Sequence, residues 1–282
     1  MTALLAAGVV DDLADVDYHA HPALSSSGAR KLLPPSCPAR FRYERDNPPE
    51  SSRTLDFGSA AHRIVLGRGA DLEVVDADDW RTKAAREAKD AAHAAGHIPV
   101  LRDEMLVIEQ MADAIRAHPV ASALFNLDRG LPEQSLFWAD PGSGVDCRAR
   151  LDWLPHASDG RLILADYKTT VSAQPDAFAK SCASYGYAQQ AAWYIDGAKQ
   201  LSLADGVAFV FVAQEKTAPY LVTVCELDWE ALRIAARLNQ LAREVFAECT
   251  ATDTWPSYTD DVAHISLPGW FLRQHDHLLE TA

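Results

Sequence analysis

The sequence predicts a mixed α/β domain, with helices flanking a central mixed sheet and further helices elaborating its N-terminal side. Hydrophobic residues follow a helical period in the first part of the chain, alternate with period two over residues 133–168, and then return to helical spacing before two more strand-like runs. No internal repeat or low-complexity linker divides the 282 residues. We therefore expect one domain over residues 25–282, preceded by a flexible arm over residues 1–24.

The N-terminal side is predicted to be helical. The serines at 25–27 are favoured N-cap residues, and the helix that they begin must end before Pro34 and Pro35. Small and apolar residues over 56–67 predict a helix that can pack closely against its neighbours. The helices expected here cover residues 28–33, 37–44, 56–67, 80–95 and 101–117. Residues 70–130 are thus expected to form a helical elaboration of the domain.

Three strands are predicted next, over residues 133–139, 145–153 and 161–168. In the second of them, VDCRARLDW, the residues Asp, Arg, Arg and Asp alternate with apolar ones, so that one face is apolar and the other is entirely charged. The remaining elements expected are a helix over 178–199, strands over 207–213 and 220–227, a helix over 229–248, and an aromatic-anchored wrap over 250–282.

The composition excludes several classes of protein. With 48% hydrophobic and 23% charged residues, the chain can bury a core and is not disordered throughout. Its apolar runs are too short to span a bilayer, and its first residues lack the basic start of a secretory signal. Five scattered cysteines without a CxxC pair disfavour a disulfide framework and a cysteine-rich metal site. We therefore expect a cytoplasmic protein without a membrane partner.

The distribution of charge along the chain is more informative about possible partners than the net charge. The net charge of −14 disfavours binding to a polyanion, but residues 28–68 contain eight basic and four acidic side chains. This segment therefore carries +4 and the rest of the chain −18. Such a basic island suits either a local groove for a polyanion or an ordinary solvated surface.

Two acidic residues and a lysine fall on neighbouring predicted strands. Asp166 and Lys168 share one face of their strand, whereas Tyr167 points to the other. Asp152 and Asp166 are each expected at the end of a strand, so antiparallel pairing would separate them unless twist, a bulge or the register brings them together. If they converge, their oxygens suit a hard cation such as Mg²⁺, and the nearby amine could orient water or stabilise charge on phosphorus.

Several motifs occur in a particular order along the chain. They are YHAHPALSSSGARKLL, CPARFRYE, FGSAAHRIVL, CRARLDWLP, LADYKTT, YGYAQQAAWY and SLPGW. In this order they resemble the PD-(D/E)xK nuclease superfamily, and more narrowly the exodeoxyribonuclease VIII (RecE-type) and related phage-encoded exonucleases. The resemblance extends from about residue 18 to residue 270 and implies a restriction-endonuclease-like core.

The resemblance also implies roles for individual residues. Metal ligands are expected at His62, Glu133, Asp152, Asp166 and the carbonyl of Tyr167. Lys168 would position or activate the attacking water, and Gln190 and Tyr194, four apart on one helical face, would reach the scissile phosphate or steady Lys168. DNA contacts are expected at Arg40, Arg42, Arg63, Arg148 and Arg150. A core histidine remains the alternative for His62, and Gln189 the alternative to Gln190.

The activity implied is hydrolysis of DNA from duplex ends with Mg²⁺, for which Mn²⁺ could substitute. In the resembling family this action runs 5′ to 3′, leaves 3′ tails for a single-strand annealing recombinase, and is carried out by homo-oligomers. Three alternatives stay open: an endonuclease or nuclease module of a larger repair complex, a catalytically silent DNA-binding or assembly protein, and a hydrolase that acts on sugars with paired carboxylates.

Overall fold

The computed structural model describes residues 6–47, 52–156 and 160–278. Its helices are α1 (Asp15–Ala20), α2 (Ser26–Lys31), α3 (Pro38–Asp46), α4 (Arg53–Leu66), α5 (Lys83–Ala94), α6 (Arg102–Ala117), α7 (Pro119–Leu124), α8 (Pro175–Tyr185), α9 (Tyr187–Gln200), α10 (Trp229–Thr252) and α11 (Gly269–His275), followed by a 3₁₀ turn (Asp276–Leu278). Its strands are β1 (Gly8–Val10), β2 (Leu24–Ser25), β3 (Leu72–Val75), β4 (Ile98–Leu101), β5 (Gly130–Ala139), β6 (Asp146–Pro155), β7 (Leu162–Thr170), β8 (Val207–Glu215) and β9 (Val222–Glu226).

The central sheet is mixed and has the strand order β1-β5-β6-β7-β8-β9, with β2 paired to β6. The pairs β1–β5, β5–β6, β6–β7 and β8–β9 are antiparallel, whereas β7 runs parallel to β8 and β2 runs parallel to β6. The parallel step requires a crossover, which α8 and α9 provide.

Helices cover both faces of this sheet. On one face α9 and α10 bury aromatic residues such as Trp193 and Phe178 together with the inward side chains of β5 to β8. On the other face α4, α6 and α7 pack against Tyr167 and Val212. The small residues Ala60 and Ala61 of α4 are fully buried there, as the close-packing pattern indicates. The mixed α/β prediction, with helices on both sides of the sheet, is confirmed.

Residues 6–24 form part of the fold, so the expectation of a flexible arm over residues 1–24 is wrong for the described part. Strand β1 pairs with β5, which places Val9 opposite Leu136. Tyr18 of α1 is buried, and the guanidinium groups of Arg148 and Arg150 lie 4.8 and 4.2 Å from its ring centroid. These contacts are all with residues more than 100 positions away, so no local pattern in the sequence indicates them.

Two other segments differ from the predicted elements. Residues 70–130 are not wholly helical, because β3 and β4 pair in parallel as a separate two-stranded sheet beside α5. The helix predicted over 178–199 is divided into α8 and α9 at Gly186, whose φ of 69° lies in the left-handed region that ends helices.

The C-terminal segment is anchored near its start. Trp255 stacks on Phe41 with ring centroids 5.7 Å apart, and the amide of Ala39 donates to the carbonyl of Pro256 over 3.0 Å. Further along, Tyr258 and Trp270 are exposed.

All five cysteines are free thiols. Among the described residues, no helix combines the length and apolar character needed to cross a bilayer.

The packing of β5 on β6 predicts a specific sensitivity at Gly130. A Cβ at this position would lie 2.5 Å from Nε1 of Trp153 and 2.7 Å from the carbonyl oxygen of Leu154. We expect Gly130→Ala to lower the free energy of unfolding by about 1–3 kcal/mol, as overpacking does in cores. Urea denaturation of the metal-free protein measures it. Gly206→Ala is the control, since its nearest neighbour would be 3.7 Å away; equal losses in both variants would contradict this account.

Candidate active site

Three carboxylates meet where β5, β6 and β7 lie side by side. Pro132 pairs with Trp153 and Gln134 with Leu151, so Glu133 lies across from Asp152. Trp153 pairs in turn with Ala165, which places Asp152 next to Asp166 on the following strand. Residues directly opposite on antiparallel strands point to the same face, so the three acidic side chains form a row across the sheet.

The register therefore brings Asp152 and Asp166 together. The expectation that each acid ends its strand is wrong for Asp166, because β7 continues to Thr170 and Asp166 lies in its middle. Strand β6 ends at Pro155, soon after Asp152, so the end of β6 meets the middle of β7. Glu133 adopts a φ of 54°, an uncommon conformation for a residue other than glycine.

A lysine and a glutamine hold the carboxylate of Asp166. Lys168 Nζ lies 2.6 Å from Asp166 Oδ2, as alternation along one strand face allows. Gln190 Nε2, on α9, donates to Asp166 Oδ1 over 2.8 Å. Gln189 instead packs toward α10, where its side-chain amide lies 3.4 Å from the side-chain oxygen of Asn239. Of the two adjacent glutamines, the described structure thus brings Gln190 to the carboxylates.

Asp152 is fixed from two sides. Its Oδ2 accepts a hydrogen bond of 2.8 Å from the backbone amide of Tyr167 and lies 3.4 Å from Nδ1 of His62. His62 comes from α4, whose small residues allow the helix to approach β7. The histidine lines the cleft above the sheet and its side chain is one-quarter exposed, so its position is that of a site residue more than of a core residue.

His62, Glu133 and Asp152 have the arrangement of a metal-binding group. One ligand atom from each lies within 4.8 Å of the other two, and all three are half-buried. Imidazole nitrogen and carboxylate oxygen suit a divalent cation that also keeps water ligands. Asp166 borders this group and is 1% exposed. The residues present therefore fit a divalent ion.

The backbone and the side chain of Tyr167 make contacts on opposite faces of the sheet. Its backbone amide donates to Oδ2 of Asp152 over 2.8 Å, on the acidic side. Its phenol, on the opposite side, donates to Oε1 of Gln214 over 2.6 Å. The alternation predicted for this strand therefore holds, with Asp166 and Lys168 on the acidic side and the Tyr167 side chain in the core.

Burial and mutual repulsion raise the pKa values of the carboxyl groups. Burial, followed by the charge of Asp152, raises the pKa of Glu133 to about 8. The same two causes raise the pKa of Asp166 to about 6, although Lys168 opposes them. Burial also raises the pKa of Asp152. Without a cation, the row therefore favours retaining protons, as closely spaced carboxylates do.

The pKa values of the two basic groups move in different directions: that of His62 is lowered and that of Lys168 is raised. Burial, with the charge of Lys168, lowers the pKa of His62 to about 4, so its imidazole is neutral and able to bind a metal. Burial alone would lower the pKa of Lys168, but Asp166 and Asp152 raise it above its usual value. Lys168 is therefore an ammonium group beside the acids and acts as a donor of hydrogen bonds, not as a base.

Tyr194 follows Gln190 by one helical turn and lines the same cleft. Its side chain is buried, and burial raises the pKa of its phenol well above the usual range. The predicted pair of Gln190 and Tyr194 is thus brought to one side of the carboxylate row, where Gln190 makes the direct contact.

The arginines predicted to contact DNA have different positions. Arg148 lines the cleft but is 9% exposed, and its guanidinium donates to the carbonyls of Tyr18, His19 and His21, so it fastens the N-terminal segment. Arg150 lines the cleft but is held by Asp15, Ser135 and the carbonyl of Leu13.

The other three arginines lie outside the described lining of the cleft. Arg42 pairs with Asp46, and Arg63 donates to the carbonyl of Gly67 over 2.8 Å. Arg40 is exposed on α3. Of the five arginines proposed for DNA, Arg148 and Arg150 therefore line the cleft that holds the acidic row, and Arg148 is the more deeply buried of the two.

The cleft above the row has a volume of about 1000 Å³. Its wall also contains Tyr185, which begins the YGYAQQAAWY motif but was given no role, and Lys216, which no motif includes. Arg30 lines it as well. The +4 charge of residues 28–68 was a signal for Arg30, whereas Lys216 follows the end of β8 without any motif.

Comparisons with known proteins agree with this geometry. A solved structure of a protein named "Putative exonuclease" from Eubacterium rectale is similar to this chain, with a TM-score of 0.60, 13% sequence identity, and coverage of 89% of this chain and 92% of the other. At that identity the likeness shows a shared fold. No curated protein matches the sequence. Residues 25–268 match the family described as "PDDEXK-like domain of unknown function (DUF3799)". The chain belongs to this PDDEXK-like family.

Proposed function

We propose that the protein is a divalent-metal-dependent nuclease that hydrolyses phosphodiester bonds of DNA. The observation that carries this proposal is the row of Glu133, Asp152 and Asp166 with the amine of Lys168 2.6 Å from Asp166. Membership of a PDDEXK-like family supports it. A sugar hydrolase with paired carboxylates would not require the adjacent lysine.

A divalent ion bound here would supply positive charge to a phosphate and to an attacking water. His62, Glu133 and Asp152 would hold it, together with Asp166 and the Tyr167 carbonyl. We propose Mg²⁺, with Mn²⁺ as a substitute, because carboxylates dominate the donor set.

The chain's own residues would then orient the reactants. The Lys168 ammonium, kept protonated by its acidic neighbours, would donate to the water or to a phosphate oxygen and stabilise the charge that develops there. Gln190 would hold the Asp166 carboxylate in one orientation. Tyr194 would steady Gln190 from one helical turn away.

Within this activity we propose an exonuclease of the RecE type that degrades duplex ends 5′ to 3′ and leaves 3′ tails for an annealing recombinase. The ordered motifs from residue 18 to residue 270 support this narrower reading. A cytoplasmic homo-oligomer is part of the proposal, since several copies would pool the +4 segments of an otherwise acidic chain.

The first prediction concerns Lys168. We expect Lys168→Ala to slow digestion of end-labelled linear duplex in Mg²⁺ by about 100-fold or more, because it removes the ammonium group that lies beside Asp166. Chelation of the metal should abolish digestion by the parent protein. Lys199→Ala, at an exposed lysine near the end of α9, is the matched control and should digest at the parent rate. Robust cleavage by Lys168→Ala, with an unchanged thermal melt, would remove the role given to Lys168.

The second prediction separates an end-dependent enzyme from an endonuclease. We expect linear duplex to be degraded and covalently closed circular duplex of the same sequence to stay intact, because only the former offers an end. Gel electrophoresis of both substrates in one reaction measures the difference. Linearisation of the circle at a comparable rate would favour the endonuclease alternative.

The third prediction uses the pKa of Glu133, which is raised from its usual value to about 8. Between pH 6.5 and 8.5 the unfolded chain has already released this proton, whereas the metal-free native protein releases it only across this range. Stability should therefore fall as pH rises, by up to about 2 kcal/mol. Urea denaturation in chelator measures the slope.

Glu133→Gln is the variant that tests the origin of this slope, because an amide does not titrate. We expect its stability to be nearly independent of pH over the same range. His62 has the opposite effect and acts only near the lower end of this range, because it is neutral in the native protein, with a pKa lowered to about 4, whereas an unfolded histidine still releases its proton near pH 6.5. A slope of equal size in Glu133→Gln would assign the effect to other groups.

A further inference from the structure

An exposed aromatic ring lies in the wall of the cleft. Tyr185 is 60% exposed at the C-terminal end of α8, and it lines the same cavity as Asp152 and Lys168. Isolated exposed apolar residues are common on protein surfaces and need no explanation by themselves. The position of Tyr185 in the cleft, its rigid support and its charged neighbours distinguish it from those.

The backbone that carries this ring is firmly held. Gly186, the next residue, has a φ of 69°, and a Cβ there would collide with the side chain of Arg30. The Arg30 guanidinium in turn donates to the carbonyl oxygen of Tyr185. The turn between α8 and α9 is therefore closed by an arginine from α2, which leaves the Tyr185 ring as the part that projects.

A short chain of contacts links this ring to the proposed chemistry. The rings of Tyr185 and Tyr187 have centroids 5.7 Å apart at an angle of 33°. Lys168 Nζ lies 5.2 Å from the ring centroid of Tyr187. Since successive nucleotides of a stacked strand are separated by about 3.4 Å, a strand whose phosphate reaches Lys168 would bring a base to Tyr185 within a few nucleotides.

The charges of the cleft favour one direction for that strand. On the side of Glu133, Arg68 is paired with Asp11 and Asp12, and Arg150 is paired with Asp15. Arg30 lies beside Tyr185, and Lys216 also lines the wall; neither forms an ion pair with an acidic residue in the described ranges. Arg148 likewise lacks an acidic partner there but is buried and held by backbone carbonyls, so Arg30 and Lys216 are the cations of the described wall best placed to meet phosphates.

From these contacts we infer that Tyr185 is a base-stacking platform for a single strand of nucleic acid, with Arg30 and Lys216 as its phosphate contacts. The strand would run from the carboxylate row past Tyr187 to the exposed ring. An aromatic face accepts any base, so the subsite would bind without sequence preference. This inference rests on the proposed nuclease function and adds the path and the strandedness of its substrate.

The test uses the Lys168→Ala protein, which should hold DNA without cutting it. Binding of a fluorescein-labelled single-stranded oligonucleotide is measured by fluorescence anisotropy in Mg²⁺. Stacking is measured with a second set of oligonucleotides, in which 2-aminopurine replaces in turn each of the nucleotides nearest one end. With Tyr185 present, we expect quenching of the probe at one or two adjacent positions. The double variant that combines Lys168→Ala with Tyr185→Ala should show no such quenching and should bind the oligonucleotide about 10-fold more weakly. Tyr185→Phe should preserve both.

Tyr43→Ala is the matched control, since Tyr43 is equally exposed but lies on α3 outside the described wall. It should leave quenching and affinity unchanged. If Tyr185→Ala behaves like Tyr43→Ala while the parent protein binds and cuts DNA, the stacking platform is wrong and the nuclease proposal stands. If the parent protein neither binds nor cuts DNA, the proposed function fails and the platform fails with it.

Discussion

Repulsion among three carboxylates is the constraint around which this site is organised. The register of β5, β6 and β7 places Glu133, Asp152 and Asp166 side by side, where burial removes most of the water that would screen them. Among the described residues, the Lys168 ammonium, the Gln190 side-chain amide and the Tyr167 backbone amide each offset part of this repulsion. The raised pKa values of Glu133 and Asp166 show that this compensation is incomplete, and a bound cation would complete it.

The surrounding fold keeps these groups from moving apart. Helix α9 packs its buried Trp193 against the sheet and brings Gln190 to Asp166 from above. Helix α4 approaches closely enough to place His62 beside Asp152. On the opposite face of β7, the hydrogen bond between Tyr167 and the buried Gln214 fixes the strand from below. The carboxylates thus belong to a strand that is anchored on both faces, as a preorganised site requires.

Much of the fold could be predicted from local patterns. Strict alternation in β6 and the small residues of α4 reflect packing that each segment carries in its own sequence. Alternation also placed Asp166 and Lys168 on one face. The approach of Asp152 to Asp166 could not be predicted, because it depends on where the hairpin turns and on the register that results. Likewise, the binding of Arg148 to carbonyls near Tyr18 depends on contacts across more than 100 residues, so the charge pattern of β6 alone could not indicate it.

The central claim is that one divalent ion binds within this row, and anomalous diffraction from crystals soaked in Mn²⁺ tests it most directly. We predict an anomalous peak at about 2.1–2.6 Å from a carboxylate oxygen of Asp152, within coordinating distance of His62 and Glu133 as well. The peak should disappear in crystals of Asp152→Asn grown and soaked in the same way. An empty row in the parent protein, or manganese bound only at other acidic groups, would contradict the account.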